Sequence, residues 1–198
     1  MTKIIVFSGS HGVGKTSLVK RIAKEFVINH SDSKIKIFNE INSGFYKIGL
    51  ALNGKGYDFD EVMFSQQKAF DLGYEIIKYY LTRSYDNRTI LMDRSCIDTL
   101  IYSNYFINKN QQTAHYQEML DKMYLQCAEI IDKVQHILVP PFNDFESLDE
   151  RMNVQERDEI WKDFITYFTY VPKYSKMLTP QTTELRYKEI FPLLGIKH

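Results

Sequence analysis

Eight residues near the amino end constrain this chain more than any others. Gly9-Ser10-His11-Gly12-Val13-Gly14-Lys15-Thr16 fits the spacing G-x-x-x-x-G-K-[ST]. Chance supplies such a match on the order of once in a hundred chains of this size. The octet follows Ile4-Ile5-Val6-Phe7, an apolar, β-branched run suited to a strand buried on both faces. It precedes Leu18, Val19, Ile22, Ala23, Phe26 and Val27, which recur at helical spacing. A strand, a glycine-rich turn and a helix in that order make a nest. The glycines let successive backbone N–H groups point inward, and the helix adds its unpaired N–H groups and the positive end of its dipole. Phosphate binding follows, with Lys15 expected at the β- and γ-phosphates and the Thr16 hydroxyl on Mg2+. The expected nucleotide-binding set is Gly9, Ser10, His11, Gly12, Val13, Gly14, Lys15, Thr16 and Ser17, for ATP or alternatively GTP.

Further strands are expected at Ile35 to Phe38, ending near Glu40, at Thr89 to Met92, ending at Asp93, and at Gln135 to Val139, stopped by Pro140-Pro141. Glu184 to Tyr187 reads as a last short strand. Helical patterns separate them: Phe59 to Leu81, Ile97 to Tyr105, Tyr116 to Ile130 and Ile160 to Phe168. Strands that alternate with helices predict an α/β protein, a three-layer α/β/α sandwich with a mostly parallel five-stranded sheet. Ser43 to Tyr57 carries four glycines next to a strand end, a segment suited to closing over a ligand.

In open sheets of this kind ligands gather outside the carboxyl ends of the strands. Asp93 is therefore a candidate Mg2+ ligand opposite Thr16, with a helix N-cap as the bland alternative. Arg94 is placed to hold an acceptor or stabilise transferring charge. Glu40 is a candidate base for an acceptor hydroxyl, against a solvated strand-end carboxylate. Gln66 and Gln67 sit in the long helical pattern, Gln66 near its apolar face, where a side-chain amide can read a base; a surface glutamine is the alternative. Phe142 to Asn153 is polar, and Arg151 and Arg157 flank the entry to the helix containing Trp161. Residues 142–158 are therefore a candidate lid, with a helix-surface ion pair as the other account of Arg157.

Composition narrows the remaining choices. The chain has 198 residues, enough for one sizeable core, so one domain over residues 1–198 is expected. Lys plus Arg and Asp plus Glu both number 25, so no net charge steers it toward polyanions, and nucleic acid is a disfavoured partner. Cys96 and Cys127, the two cysteines, do not make a disulfide framework. The amino end lacks a signal-peptide pattern and no stretch has membrane-spanning length, so a cytoplasmic protein without a membrane span is expected. The composition leaves monomer and homodimer both open.

Phe7 to Thr16, the strand-ending Glu40, and Met92-Asp93-Arg94-Ser95 with Asp98 and Tyr102 resemble the P-loop kinases of the nucleoside and nucleotide kinase superfamily. Within it, the likeness is greatest to the NadR-like ATPase/kinase proteins, which include nicotinamide riboside kinase domains. The Asp-Arg step is similar to that of deoxynucleoside and thymidylate kinases. The resemblance covers most of residues 3–170 and implies a P-loop NTPase fold. It also implies a base at Glu40, a metal-holding acid at Asp93, an acceptor contact at Arg94, a base-reading amide at Gln66 or Gln67, and lid arginines at Arg151 and Arg157.

The function expected is ATP- and Mg2+-dependent phosphoryl transfer to a nucleoside, nucleotide or related small hydroxyl compound. A second class is a nucleotide-dependent switch that recognises a protein or phospholipid and hydrolyses slowly. A third is a kinase acting on nucleic acid, which would need a local basic patch.

Overall fold

A computed structural model of the chain describes residues 2–29, 35–39, 58–83, 88–141, 154–171, 173, 175–179 and 182–194. Along the chain lie β1 (Lys3–Ser8), α1 (Lys15–Asn29), β2 (Ile35–Phe38), α2 (Phe59–Thr82), β3 (Thr89–Asp93), α3 (Cys96–Lys109) and α4 (Thr113–Ile130). A 3-10 turn (Ile131–Lys133) leads to β4 (Gln135–Leu138), followed by α5 (Val154–Thr169), β5 (Ser175–Met177) and α6 (Thr183–Leu194). The strands form one sheet in the order β2-β3-β1-β4-β5. All four pairings are parallel, so the sheet is wholly rather than mostly parallel.

The two faces of the sheet carry separate cores, which is why β1 reads as continuously apolar. Ile4 and Val6, with Ile90, Met92 and Leu138, pack against α2, α3, α4 and α5. Ile5 and Phe7, with Leu91 and Ile137, pack against Leu18, Val19 and Ile22 of α1 and Tyr187, Ile190 and Phe191 of α6. Successive side chains alternate across the sheet, so burial of both sets requires helices on both sides. The result is the expected three-layer α/β/α architecture.

One expectation fails. Glu184 to Tyr187 lies within α6 and is helical, and the fifth strand is Ser175–Met177. Arg186, Tyr187, Ile190 and Phe191 repeat at helical spacing toward the core, a pattern that a four-residue window does not reveal. The true strand is three residues long and largely exposed at the sheet edge, so it lacks the apolar run that marks its neighbours.

Two features bring the helices to the site. Gly73 in α2 allows close approach of α3, since a Cβ there would lie 3.0 Å from the Cys96 backbone nitrogen. At the start of α3, Ser95 is the N-cap and closes a capping box with Asp98. β1 lies beside β3 at the centre of the sheet; the chain leaves β1 for β2 on one side and leaves β3 for β4 on the other, opening a crevice at the carboxyl ends of these two strands.

Candidate phosphate-binding site

The turn between β1 and α1 occupies this crevice. Gly9, Gly12 and Gly14 have φ values of 148°, 72° and 87°, in the region that side chains avoid. Space matters at Gly9 as well, because a Cβ would lie 2.5 Å from the Val139 carbonyl oxygen. Lys15 is 5% exposed, and its Nζ donates to the carbonyls of Gly9 at 2.9 Å and Ser10 at 2.5 Å. The ammonium is thereby held across the loop by the loop itself. Ser10 Oγ is buried and has no hydrogen-bond partner among the described residues.

β3 supplies the facing wall. Its register sets Asp93 beside Phe7, and the Thr16 hydroxyl donates to Asp93 Oδ2. Asp93 is 1% exposed, and Oδ1 has no hydrogen-bond partner among the described residues. Asp93 is the last residue of its strand; the N-cap role falls to Ser95. Among the described residues there is no group of three or more His, Cys, Asp or Glu arranged to hold a metal. A hydroxyl and a buried carboxylate fit Mg2+, which takes one or two protein oxygens and completes its shell from phosphate and water.

Arg94 follows with a φ of 71°, a costly conformation for a residue with a Cβ. Its N–H donates to the Phe7 carbonyl at 3.1 Å, which continues the ladder past the strand and holds the turn. The guanidinium lies 5.0 Å from the centre of the Tyr102 ring, and Nη2 is 3.3 Å from His11 Nδ1. The rings of His11 and Tyr102 meet edge to face at 5.4 Å. His11 thus links the loop to the Asp-Arg step, a role its variable place in the motif does not announce.

Asp98 organises the two turns. Oδ2 accepts from Ser8 Oγ at 2.8 Å and from the Ser95 N–H at 3.0 Å, while Oδ1 accepts from the Gly9 N–H at 3.2 Å. Burial pushes its carboxyl above the ordinary value, opposed by the charges of Arg94 and Lys15 and by the bonds from Ser8 and Ser95. In the sequence, the resemblance brought Asp98 forward without a role; the Ser95-x-x-Asp98 spacing is the capping-box signal.

Among the other candidates, Gln66 is 2% exposed on the packed face of α2, two helical turns from Gly73, whereas Gln67 is half-buried. Arg157 is 6% exposed, and its Nε and Nη2 each lie 3.1 Å from Asp158 Oδ1, so the ion pair of the alternative account is present, on a guanidinium that is itself buried. Glu40, Arg151 and most of the expected lid lie outside the described residues. Arg186, read in the sequence as part of a strand, is fully buried in α6 and donates from Nη1 to the Val13 carbonyl at 2.9 Å. Cys96 and Cys127 are buried free thiols, and burial and the adjacent Cys127 hold Cys96 well above its ordinary pKa, which removes it as a nucleophile. No helix among the described residues is long and apolar enough to cross a membrane.

Comparison with known proteins agrees with this architecture. The chain is similar to thymidylate kinase from Ehrlichia chaffeensis, with a TM-score of 0.63 at 15% identity, covering 98% of both chains. It is similar to NadR protein in complex with NR, with a TM-score of 0.64 at 15% identity, covering 99% of this chain and 50% of that one. A further match is NadR protein in complex with NAD and AMP-PNP, with a TM-score of 0.61 at 18% identity, covering 100% of this chain and 51% of that one. The chain thus spans about half the length of the NadR chains. These likenesses show a P-loop nucleotide kinase-like fold. A search of curated proteins finds no match. A family model described as AAA domain matches residues 4–173, most of the chain, and the protein therefore belongs to the AAA domain family.

Proposed function

We propose that this protein is an ATP- and Mg2+-dependent kinase that moves the γ-phosphoryl group to a hydroxyl of a nucleoside, nucleotide or related small compound. The contact between Thr16 and Asp93 at the mouth of the glycine loop carries the reading, because it joins a phosphate nest to a carboxylate with an oxygen to spare. Thr16 and Asp93 would hold Mg2+, which when bound neutralises charge on the β- and γ-phosphates. Lys15, fixed by two loop carbonyls, supplies a positive charge to the same phosphates without having to reorganise. Arg94, braced by Tyr102 and His11, is the cation nearest Asp93 in the chain and receives the acceptor or the transferred charge. Catalysis here is mainly positioning and electrostatics.

By resemblance, Glu40 takes the acceptor proton, Gln66 or Gln67 reads the acceptor, and Arg151 and Arg157 close from a lid over residues 142–158 of a single domain. NadR, solved with NR and with NAD and AMP-PNP, makes a riboside the first acceptor to try. Two buried free thiols suit a reducing compartment such as the cytoplasm.

The test is ATP consumption against a panel of nucleosides, nucleotides and ribosides, with products identified by mass spectrometry. A phosphorylated acceptor, lost in Asp93→Asn and Glu40→Gln while Glu40→Gln retains ATP affinity, supports the kinase. Hydrolysis indifferent to every acceptor contradicts it and points to a nucleotide-dependent switch.

A further inference from the structure

Arg186 is 0% exposed, and its guanidinium donates to four backbone carbonyls among the described residues. Nε donates to Thr179 O at 3.1 Å, Nη1 to Val13 O at 2.9 Å, and Nη2 to Pro140 O at 2.7 Å and Pro141 O at 3.5 Å. One rigid plane therefore joins three segments: the chain leaving β5 at Thr179, the glycine loop and the chain leaving β4. Burial lowers its pKa to about 10, with Glu189 opposing, so the group stays cationic at neutral pH. Burying a cation is a poor source of stability, since its desolvation offsets much of what the hydrogen bonds return. What a guanidinium supplies is direction.

The direction matters at one peptide unit. A trans peptide is planar, and its C=O and N–H point opposite ways. The Val13 carbonyl is aimed at Arg186 on the α6 side of the loop, so the Gly14 N–H is aimed away from Arg186. Gly14, with φ at 87°, adjoins that unit and would let it rotate at little steric cost. The other end of the loop is referenced to the same group, because the Val139 carbonyl abuts Gly9 and the next carbonyl, that of Pro140, is bound by Nη2.

We propose that Arg186 is a positioning residue for the phosphate site: by holding the Val13 carbonyl it fixes the Gly14 N–H as a donor to a bound phosphate. This rests on the nucleotide reading of the loop and adds a residue more than 170 positions away in the chain. It makes the seating of α6 a condition for a competent phosphate nest.

The full chain, labelled with 15N, is titrated with AMP-PNP and Mg2+ and followed by NMR and calorimetry. In the wild type the Gly14 amide moves downfield, and the Arg186 Nε and Nη resonances shift with it. Folded Arg186→Met and Arg186→Lys bind AMP-PNP about tenfold or more weakly and lose most of the Gly14 shift, the loss expected for one hydrogen bond to a charged group. A merely structural role would lower the unfolding temperature and leave the affinity of the folded fraction and the Gly14 shift intact, which overturns the proposal. If neither variant folds, the wild-type resonances decide: Arg186 signals that stay fixed while nucleotide binds overturn it, and shifted ones support it. A wild type that binds no nucleotide overturns the nucleotide reading itself, a different result from equal binding by wild type and variants.

Discussion

The Asp98 carboxylate accepts the backbone N–H of Gly9 at 3.2 Å, tying the first residue of the phosphate loop to the first turn of α3. Because the same carboxylate also takes Ser8 Oγ and the Ser95 N–H, the loop after β1 and the Asp-Arg step after β3 share one fixed point. The geometry between Thr16 and Asp93 depends on that point, although Asp98 touches neither.

Asp98→Ala leaves four buried donors, Ser8 Oγ, the Gly9 N–H and the N–H and Oγ of Ser95, without this acceptor and breaks the capping box. Each abandoned donor costs about 1–3 kcal/mol and the cap about 1 kcal/mol, so a loss of more than 3 kcal/mol is expected. Urea unfolding measures it, and Asp98→Asn, which keeps the shape and one acceptor oxygen, falls between that variant and the wild type.

Gly9→Ala meets both obstacles at once, a φ of 148° and a Cβ 2.5 Å from a backbone carbonyl. The torsion alone costs about 1–3 kcal/mol. Since relief requires the loop to move away from Val139, phosphate binding falls with stability, which parallel calorimetry and thermal unfolding will show.

The sequence made the loop, β1, α1 to α5 and the Asp93-Arg94 step legible, because each rests on local pattern: an apolar run, a helical stripe or a spacing of glycines. It did not make β5 or Arg186 legible. Ser175–Met177 is a strand because β4 offers an open edge, a tertiary cause with no local trace. Arg186 reads as one more charged residue until α6 is docked and its guanidinium reaches carbonyls in two distant segments. The roles of His11 and Asp98 were hidden for the same reason: their partners lie in another element, about 90 residues away.

Thr16→Val removes the hydroxyl that donates to Asp93 while preserving side-chain shape. Stability should fall by about 1–3 kcal/mol, because the buried Asp93 carboxylate loses the hydroxyl that donates to it. The Mg2+ concentration needed for half-maximal nucleotide binding should rise about tenfold or more, the equivalent of about 1.4 kcal/mol. A Mg2+ titration at fixed AMP-PNP measures this.

His136 predicts a pH dependence away from the loop. It lies at the centre of β4, beside Val6, fully buried, with its ring 4.9 Å from that of Phe168 and neither nitrogen hydrogen-bonded among the described residues. Burial lowers its pKa from 6.5 to about 3. The unfolded chain therefore takes up a proton below pH 6.5 that the folded protein refuses, and this contribution to stability falls as pH drops from 6.5 toward 3. The slope is about 1.4 kcal/mol per pH unit once the unfolded imidazole is protonated. Urea unfolding at pH 7.5 and 5.5 should show this loss in the wild type and a flatter dependence in His136→Leu.

Calorimetry of AMP-PNP with Mg2+ binding to the folded wild type and to Lys15→Ala tests the central claim most directly, since both the phosphate nest and the Lys15 ammonium must work for binding to occur. The account predicts one nucleotide bound per chain, dependent on Mg2+, and affinity reduced at least about a hundredfold in Lys15→Ala, about 2.7 kcal/mol or more. Equal affinity in the two proteins, or no uptake by the wild type, would contradict it.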